Sequence, residues 1–309
     1  MADRKADAIW KKYNSKIKLT NIVFFVVYFA LVIVFFLLNF GWAVLLLLAT
    51  LVFGLIKVNG FWWRKYIANI LLEDIDAELY REVVEVGGLE TKSPLLAMES
   101  RFFVGNVEGA ISFGEDLLKI EAFAKKNAHM TLLLLAEYNF IIGDDEAVAF
   151  ACKRFRESEQ QNKNSKRAKR QLACIENYEM FLAGDYEALN RPVGKKRKDA
   201  LYKLIMSYRE GRIALARGDK EKARAIFSET AVIGEKTVVG KMSVSILNAL
   251  DTGSDHCEPV VLFPNESVNA EALHDNFSET VKNSRTNLII SLIILAIALF
   301  LYFSGGLFG

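Results

Sequence analysis

The residues that could hold a metal ion in this chain are few and scattered. Its three histidines are His129, His256 and His274, and acidic or thiol groups adjoin the last two, in Asp255-His256-Cys257-Glu258 and His274-Asp275. These residues would form a site only if the segment around them folded about the ion. The paired Cys or His spacings of structural zinc sites are missing, so we expect no metal.

A glycine-rich stretch, Gly234–Met242, is similar to a phosphate-binding loop but departs from it in two ways. Five residues rather than four separate its outer glycines, and Met242 stands where Ser or Thr would bind Mg²⁺. No carboxylate can be singled out for acid–base catalysis, because the sequence predicts neither strands nor a pocket. We therefore predict that the protein is not an enzyme and has no cofactor.

The elements that position the remaining polar residues are indicated by a motif that recurs four times. Its copies begin at Gly105, Gly143, Gly184 and Gly218, and each glycine is followed by Asn or Asp and, two residues later, by Glu. Glycine ends a helix because it adopts positive φ at little cost. The Asn or Asp then caps the next helix. The motif predicts four helix–turn–helix units.

These units resemble the tetratricopeptide repeat family, whose helix pairs stack into a superhelix, over about residues 93–233. The last copy fits best, with Gly211 at the small position of the first helix and Phe227 at the aromatic position of the second. Other copies depart from the family pattern. Met98 occupies the small position in the first copy, and the third copy's second helix is expected to stop at Asn190-Arg191-Pro192.

The resemblance implies a concave groove that binds a segment of a protein partner, and it implies no reaction. The first helices of the units would line this groove. By position in the repeat, the candidate groove residues are Leu95, Glu99, Leu133, Glu137, Tyr178, Tyr208 and Arg212.

Hydrophobic periodicity and cap residues predict the helices of this region. One helix over 66–86 is expected to lead into the repeats. The others are predicted near 94–104, 107–121, 126–142, 145–159, 166–183, 186–190, 198–217, 220–233 and 237–250, the last closing the stack.

The hydrophobic fraction of the chain, 52%, is concentrated at its two ends. Ile22–Ile56 contains no charged residue and is too long for one span, so we predict two short spans, 22–38 and 42–56, joined by a turn at 39–41. A third span is predicted over 288–303. Lys and Arg flank the spans on one side only, which predicts a cytoplasmic N-terminus and repeat domain and a C-terminus across the membrane.

Three stretches with a marked charge bias each leave two interpretations open. Residues 1–19 form either a basic helix on an anionic membrane surface or a solvated, frayed terminus. A second basic stretch is either a binding face, also for anionic lipid, or a solvated edge; nucleic acid is unlikely to bind there because no aromatic residues alternate with the charges. This candidate basic face comprises Lys166, Arg167, Lys169, Arg170, Lys195, Lys196, Arg197 and Lys198. In the acidic stretch 251–280, residues 259–264 either cap the repeats or occupy their groove.

Together these patterns predict an all-α fold, a membrane-anchored α-solenoid with three transmembrane helices. The expected segments are 1–21 basic, 22–58 hairpin, 59–92 connecting helix, 93–252 repeat domain, 253–286 acidic linker and 287–304 C-terminal span. We predict a scaffold or adaptor in the plasma membrane that binds a protein partner. The alternative is an accessory subunit of a membrane transport or export complex. Three cysteines without paired spacing are typical of a reducing compartment.

Overall fold

The computed structural model describes residues 2–37, 41–89, 93–158, 166–191, 193 and 198–253. Within these ranges every regular element is a helix and no strand occurs, so the predicted all-α class is confirmed. The described residues fall into two compact units, one that ends at Ala68 and one that begins at Asn69.

The N-terminal unit consists of α1 (Ala2–Leu37), α2 (Gly41–Trp63) and a π-helical turn (Arg64–Ala68). Helix α1 packs against α2, and the Trp62 indole N–H donates a hydrogen bond of 3.0 Å to the Thr20 hydroxyl. Because α1 begins at Ala2 and continues into the apolar run, the interpretation of a frayed terminus is wrong.

One stretch of the described chain, Arg4–Leu31 in α1, is long and apolar enough to cross a membrane by length and composition. The described residues therefore include one candidate membrane-spanning helix, near the N-terminus. The predicted spans 22–38 and 42–56 correspond to parts of α1 and α2, whereas most of the 39–41 turn and the whole 288–303 span lie outside the described residues.

The second unit is a helical domain whose boundaries from residue 94 onward lie within two residues of the predicted ones, except that the helix predicted from 126 begins five residues earlier, at Glu121. It comprises α3 (Asn69–Leu72), α4 (Ala77–Val86), α5 (Pro94–Val104), α6 (Val107–Lys119), α7 (Glu121–Ile142), α8 (Asp145–Ser158), α9 (Lys166–Leu182), a 3₁₀ helix (Tyr186–Asn190), α10 (Ala200–Ala216), α11 (Lys220–Ile233) and α12 (Val238–Thr252). The second helix of the third copy ends at Asn190, as predicted, and it is a five-residue 3₁₀ helix rather than an α-helix.

The single helix predicted over 66–86 is wrong, because the chain breaks between α3 and α4. Ile75 adopts a left-handed backbone with φ 53°, which interrupts the helix. Asp76 then caps α4 by accepting a 3.1 Å hydrogen bond from the Leu79 N–H. Its other carboxylate oxygen lies 2.9 Å from the Lys236 ammonium group, 160 residues away in sequence. A local cap and a distant ion pair therefore replace the expected helical turn.

The four motif glycines have the backbone conformation that the sequence predicts. Their φ angles are 106° at Gly105, 85° at Gly143, 96° at Gly184 and 80° at Gly218. A side chain at any of these positions would be strained, so glycine is required to turn the chain between helices.

The residue after each glycine caps the following helix in three copies of four. Each cap is a side-chain oxygen that accepts a backbone N–H three residues on, at 3.0 Å for Asn106, 2.9 Å for Asp144 and 3.1 Å for Asp219. Asp185 makes no such bond and pairs with Arg191 instead. The exception is the copy whose second helix is 3₁₀.

Helix pairs pack in chain order, and the last helix also contacts the first pairs. Helix α12 packs on α10 and α11, and it also contacts α5 and α7. The Lys241 ammonium group donates a 3.2 Å hydrogen bond to the Val104 carbonyl at the end of α5. The end of the described helical domain is therefore joined to its beginning, rather than separated from it by the whole stack.

The first and last copies exchange the sizes of two packed residues. In the last copy a Cβ on Gly211 would lie 2.8 Å from the Phe227 ring. In the first copy the equivalent positions hold Met98 and Gly114, and a Cβ on Gly114 would lie 2.7 Å from Met98 Cε. One large residue and one glycine thus fill the same space in both copies. The misfit of Met98 to the family pattern is compensated across the helix pair.

The motif-linked aromatic residues form the core of the domain. Phe102, Phe140 and Phe227 are fully buried, and Phe181 is 5% exposed. Phe140 packs edge-on against Phe181, with ring centroids 5.4 Å apart. The phenylalanines three positions before the first three turn glycines therefore form core between helices.

Candidate functional site

A groove of about 730 Å³ lies among α5, α7, α9, the 3₁₀ helix and α10. Apolar side chains such as Phe103, Met130 and Leu134 form one part of its lining, and the charged residues Glu99 and Arg209 also face it. Its volume falls within the range of ligand pockets, ~300–1,000 Å³. An apolar lining with a few polar groups suits a ligand that is held by both kinds of contact.

Three of the predicted groove residues line this groove: Glu99 on α5, Glu137 on α7 and Tyr178 on α9. Each stands six positions before the turn glycine of its copy. One repeat position therefore presents its side chain to the groove in three successive copies. Leu95 and Leu133 are half-buried and do not line it.

The remaining two predicted residues tie helices together outside the groove. Tyr208 is fully buried, and its hydroxyl donates a 2.6 Å hydrogen bond to the Ile141 carbonyl. Arg212 donates a 2.7 Å hydrogen bond to the Phe140 carbonyl and pairs with Asp145. Both residues attach α10 to the end of α7, and neither lines this groove.

Arg209, which the sequence analysis did not select, takes the groove position in the fourth copy. It stands nine residues before Gly218, about one helical turn earlier than the position used in the other copies. Helix α10 contacts the short 3₁₀ helix that replaces the third copy's second helix. Because residues about one turn apart lie on nearly the same side of a helix, α10 turns a similar side to the groove but meets it nearer to its N-terminus.

The Arg209 guanidinium joins two walls of the groove. Its Nη2 donates hydrogen bonds to Glu137 Oε1 at 3.0 Å and to the Tyr178 hydroxyl at 2.7 Å. The guanidinium also lies 5.4 Å from the centre of the Tyr178 ring. These contacts hold α7, α9 and α10 together around the groove, because one guanidinium group bonds to side chains on α7 and α9 and also packs on an aromatic ring.

Burial sets the protonation states inside the groove. Burial raises the pKa of Tyr178, and burial with the nearby Glu99 and Glu137 carboxylates raises that of Tyr138 well above the usual value. Burial by itself lowers the pKa of Arg209, but Tyr178 and Glu137 outweigh it and raise that pKa. Both phenols are therefore neutral hydrogen-bond donors, and the guanidinium is charged.

Two donors at the groove have no acceptor in the part of the chain that the structure describes. The Tyr138 hydroxyl is buried without a hydrogen-bond partner, although its ring stacks on Phe102 at a centroid distance of 3.7 Å. The Nε–H of Arg209 is also buried and unpartnered. A buried donor that lacks an acceptor costs ~1–3 kcal/mol, so both atoms favour an occupant that supplies oxygen atoms.

Of the candidate basic face, Lys169, Arg170 and Lys198 are exposed. Lys166 and Arg167 begin α9, and their side chains lie outside the described residues, as do Lys195, Lys196 and Arg197. The acidic stretch beyond Gly253, including 259–264, also lies outside them.

No group of three His, Cys, Asp or Glu residues is placed to hold a metal ion within the described ranges. The pairs around His256 and His274 lie beyond those ranges. Residues 234–237 form the turn between α11 and α12, and Val238–Met242 begin α12. A Cβ on Gly240 would meet the Gly234 carbonyl at 2.2 Å, so this glycine serves the close approach of two backbone segments.

Comparison of the chain with protein-family models, with curated proteins and with solved structures gives no match.

Proposed function

We propose that this protein is a membrane-anchored adaptor whose groove binds a segment of a partner protein. Helix α1, with its apolar stretch Arg4–Leu31, supports the anchor. The proposal includes a tetratricopeptide-like arrangement, three spans, a plasma-membrane location and a cytoplasmic N-terminus and helical domain, with the C-terminus opposite. Anchoring would raise the effective concentration of the partner near the bilayer.

The observation that carries the proposal is the pair of unpartnered donors, Tyr138 Oη and Arg209 Nε, at one groove. Both atoms lack acceptors among the described residues, and the groove is large enough for several residues of a peptide. Both atoms are buried, so binding of this kind requires a neighbouring groove side chain to move aside.

An extended peptide fits these donors better than a helical one. The carbonyls of a helix already accept intrahelical hydrogen bonds, whereas those of an extended segment are free. A carbonyl is also a better occupant than a carboxylate, because Glu99 and Glu137 would repel a second negative charge nearby. We therefore propose that backbone carbonyls of the partner accept from Tyr138 and Arg209, while its apolar side chains contact Met130 and Leu134.

The test uses the full-length chain in detergent and a library of random dodecapeptides displayed on phage. Selected peptides are synthesised, and their affinities are measured for the native chain and for Tyr138→Phe. Because the hydroxyl is unpaired, its removal should leave thermal stability unchanged or slightly higher. It should weaken peptide binding about five- to tenfold, the value of one lost hydrogen bond.

Tyr208→Phe is the matched control. Its hydroxyl is paired with the Ile141 carbonyl, so this variant should lose stability and keep its peptide affinity. A library that yields no groove-binding peptide would reject the adaptor in favour of the accessory-subunit alternative. If the peptides bind Tyr138→Phe as tightly as they bind the native chain, the proposed hydrogen bond to Tyr138 is rejected, but the adaptor function is not.

A further inference from the structure

The N-terminal unit carries a strong excess of positive charge at one end. Its basic residues are Arg4, Lys5, Lys11, Lys12, Lys16, Lys18, Lys57, Arg64 and Lys65, and its acidic residues up to Ala68 are Asp3 and Asp7. Lys11 is paired with Asp7. The hydrogen bond between Thr20 and Trp62 places the two basic ends of α1 and α2 side by side. The charges are therefore concentrated rather than spread along the helices.

Aromatic rings connect these two ends. Tyr13 contacts Trp10 at a centroid distance of 5.3 Å and Trp63 at 5.8 Å. Trp62 stacks on Tyr66 at 5.7 Å. Trp and Tyr beside basic residues, next to a charge-free apolar run, are typical of the level at which lipid headgroups meet a protein.

Two ammonium groups converge on one of these rings. Lys12 Nζ lies 5.5 Å from the centre of the Tyr66 ring, and Lys65 Nζ lies 5.8 Å from it. Both lysines are exposed, and neither makes an ion pair with a carboxylate of the described chain. Lys65 Nζ also lies 5.6 Å from the centre of the Trp62 ring. The rings hold both ammonium groups near one another at this end of the unit, where an anion can offset their charge.

We propose that Lys12, Lys65 and Tyr66 bind the phosphate of an anionic phospholipid headgroup. The two lysines neutralise the phosphate, and the aromatic rings of Trp62 and Trp63 contact the glycerol and upper acyl region. The chemistry recognised is a phosphate, and we assign it to a lipid because the rings and the apolar run of α1 adjoin the lysines. The proposal rests on the membrane anchoring proposed above and is independent of peptide binding.

The test titrates the full-length protein in a neutral detergent with dioctanoyl phosphatidylglycerol, dioctanoyl phosphatidylcholine or inorganic phosphate. All four tryptophans of the chain lie between Trp10 and Trp63, so intrinsic fluorescence reports on the N-terminal unit alone. We expect saturable binding of phosphatidylglycerol, at least about fivefold tighter than that of phosphatidylcholine. Each lysine near an anionic lipid contributes about fivefold in affinity, so the variant Lys12→Gln/Lys65→Gln should bind phosphatidylglycerol more than tenfold less tightly.

The control variant Lys220→Gln/Lys222→Gln removes the same charge from α11 and should bind as the native protein does. Equal affinity for the two lipids, or unchanged binding by Lys12→Gln/Lys65→Gln, would overturn the proposal. If inorganic phosphate binds as tightly as phosphatidylglycerol, the site recognises free phosphate and the assignment to a lipid is overturned. If the adaptor function holds, library peptides bind the groove in each of these cases. Failure of the lipid site can therefore be distinguished from failure of the adaptor function.

Discussion

Replacing Gly211 with alanine tests whether the size exchange between the first and last copies holds the helix pairs together. A methyl group at this position would lie 2.8 Å from two carbons of the fully buried Phe227 ring. Overpacking a core in this way costs ~1–3 kcal/mol. Alanine gains ~1 kcal/mol over glycine in a helix interior. We expect a net loss of up to about 2 kcal/mol in the free energy of unfolding, near the upper end because the Phe227 ring is fully buried.

The same substitution at Gly114 should have a much smaller effect. The atom that it would approach is the terminal methyl of Met98, at 2.7 Å, and Leu135 Cδ2 follows at 3.2 Å. A methionine side chain can rotate away, whereas a ring packed on both faces cannot. The helix-propensity gain then offsets the packing loss, so Gly114→Ala should be neutral to within about 1 kcal/mol.

The assay is urea unfolding of the full-length chain in detergent, followed by pulse proteolysis, which reports the fraction of folded helical domain. Phe227→Leu shortens the obstructing side chain, so Gly211→Ala should be less damaging in that background, with a coupling of about 1 kcal/mol or more. A loss at Gly114 as large as that at Gly211, or additive effects of Gly211→Ala and Phe227→Leu, would refute the reasoning.

Two further predictions concern caps and pH. Asp219→Ala should lower the free energy of unfolding by about 1 kcal/mol, because the Asp219 carboxylate caps α11. Asp185→Ala should have less than half that effect, because the Asp185 side chain makes no cap hydrogen bond. Urea unfolding compares the two variants, and equal losses would contradict the prediction. Burial and Glu99 raise the pKa of Tyr80 above its usual value near 10. Its contribution to stability is therefore constant below about pH 10 and is lost as the pH rises further, because the unfolded chain loses the proton first. Tyr80→Phe should reduce this decline by about 1.4 kcal/mol per pH unit, measured by urea unfolding at pH 9, 10 and 11, and identical slopes would exclude the effect.

The sequence by itself determined the elements of the helical domain, because their signals are local. Glycine at positive φ and an Asn or Asp cap act within four residues, so the turns at Gly105 and Gly218 could be predicted without knowledge of their surroundings. The short element that ends at Asn190 could be predicted for the same reason.

Tertiary packing decided which residues reach the groove. Glu137 and Tyr178 stand at one repeat position on α7 and α9, and both line the groove. On α10, Tyr208 and Arg212 bond to the end of α7 instead, and Arg209 lines the groove. The charged and aromatic residues of one helix face look alike in sequence, and the choice among them depends on the helix packed opposite.

The break before α4 and the contacts of α12 were also decided by the tertiary structure alone. Asp76 caps α4 and pairs with Lys236, and Lys241 bonds to the end of α5. These partners are 160 and 137 residues apart, so no local pattern could join them. Local conformation follows from a few neighbouring residues, whereas the position of one helix on another depends on side-chain volumes and charges that meet only in the folded chain.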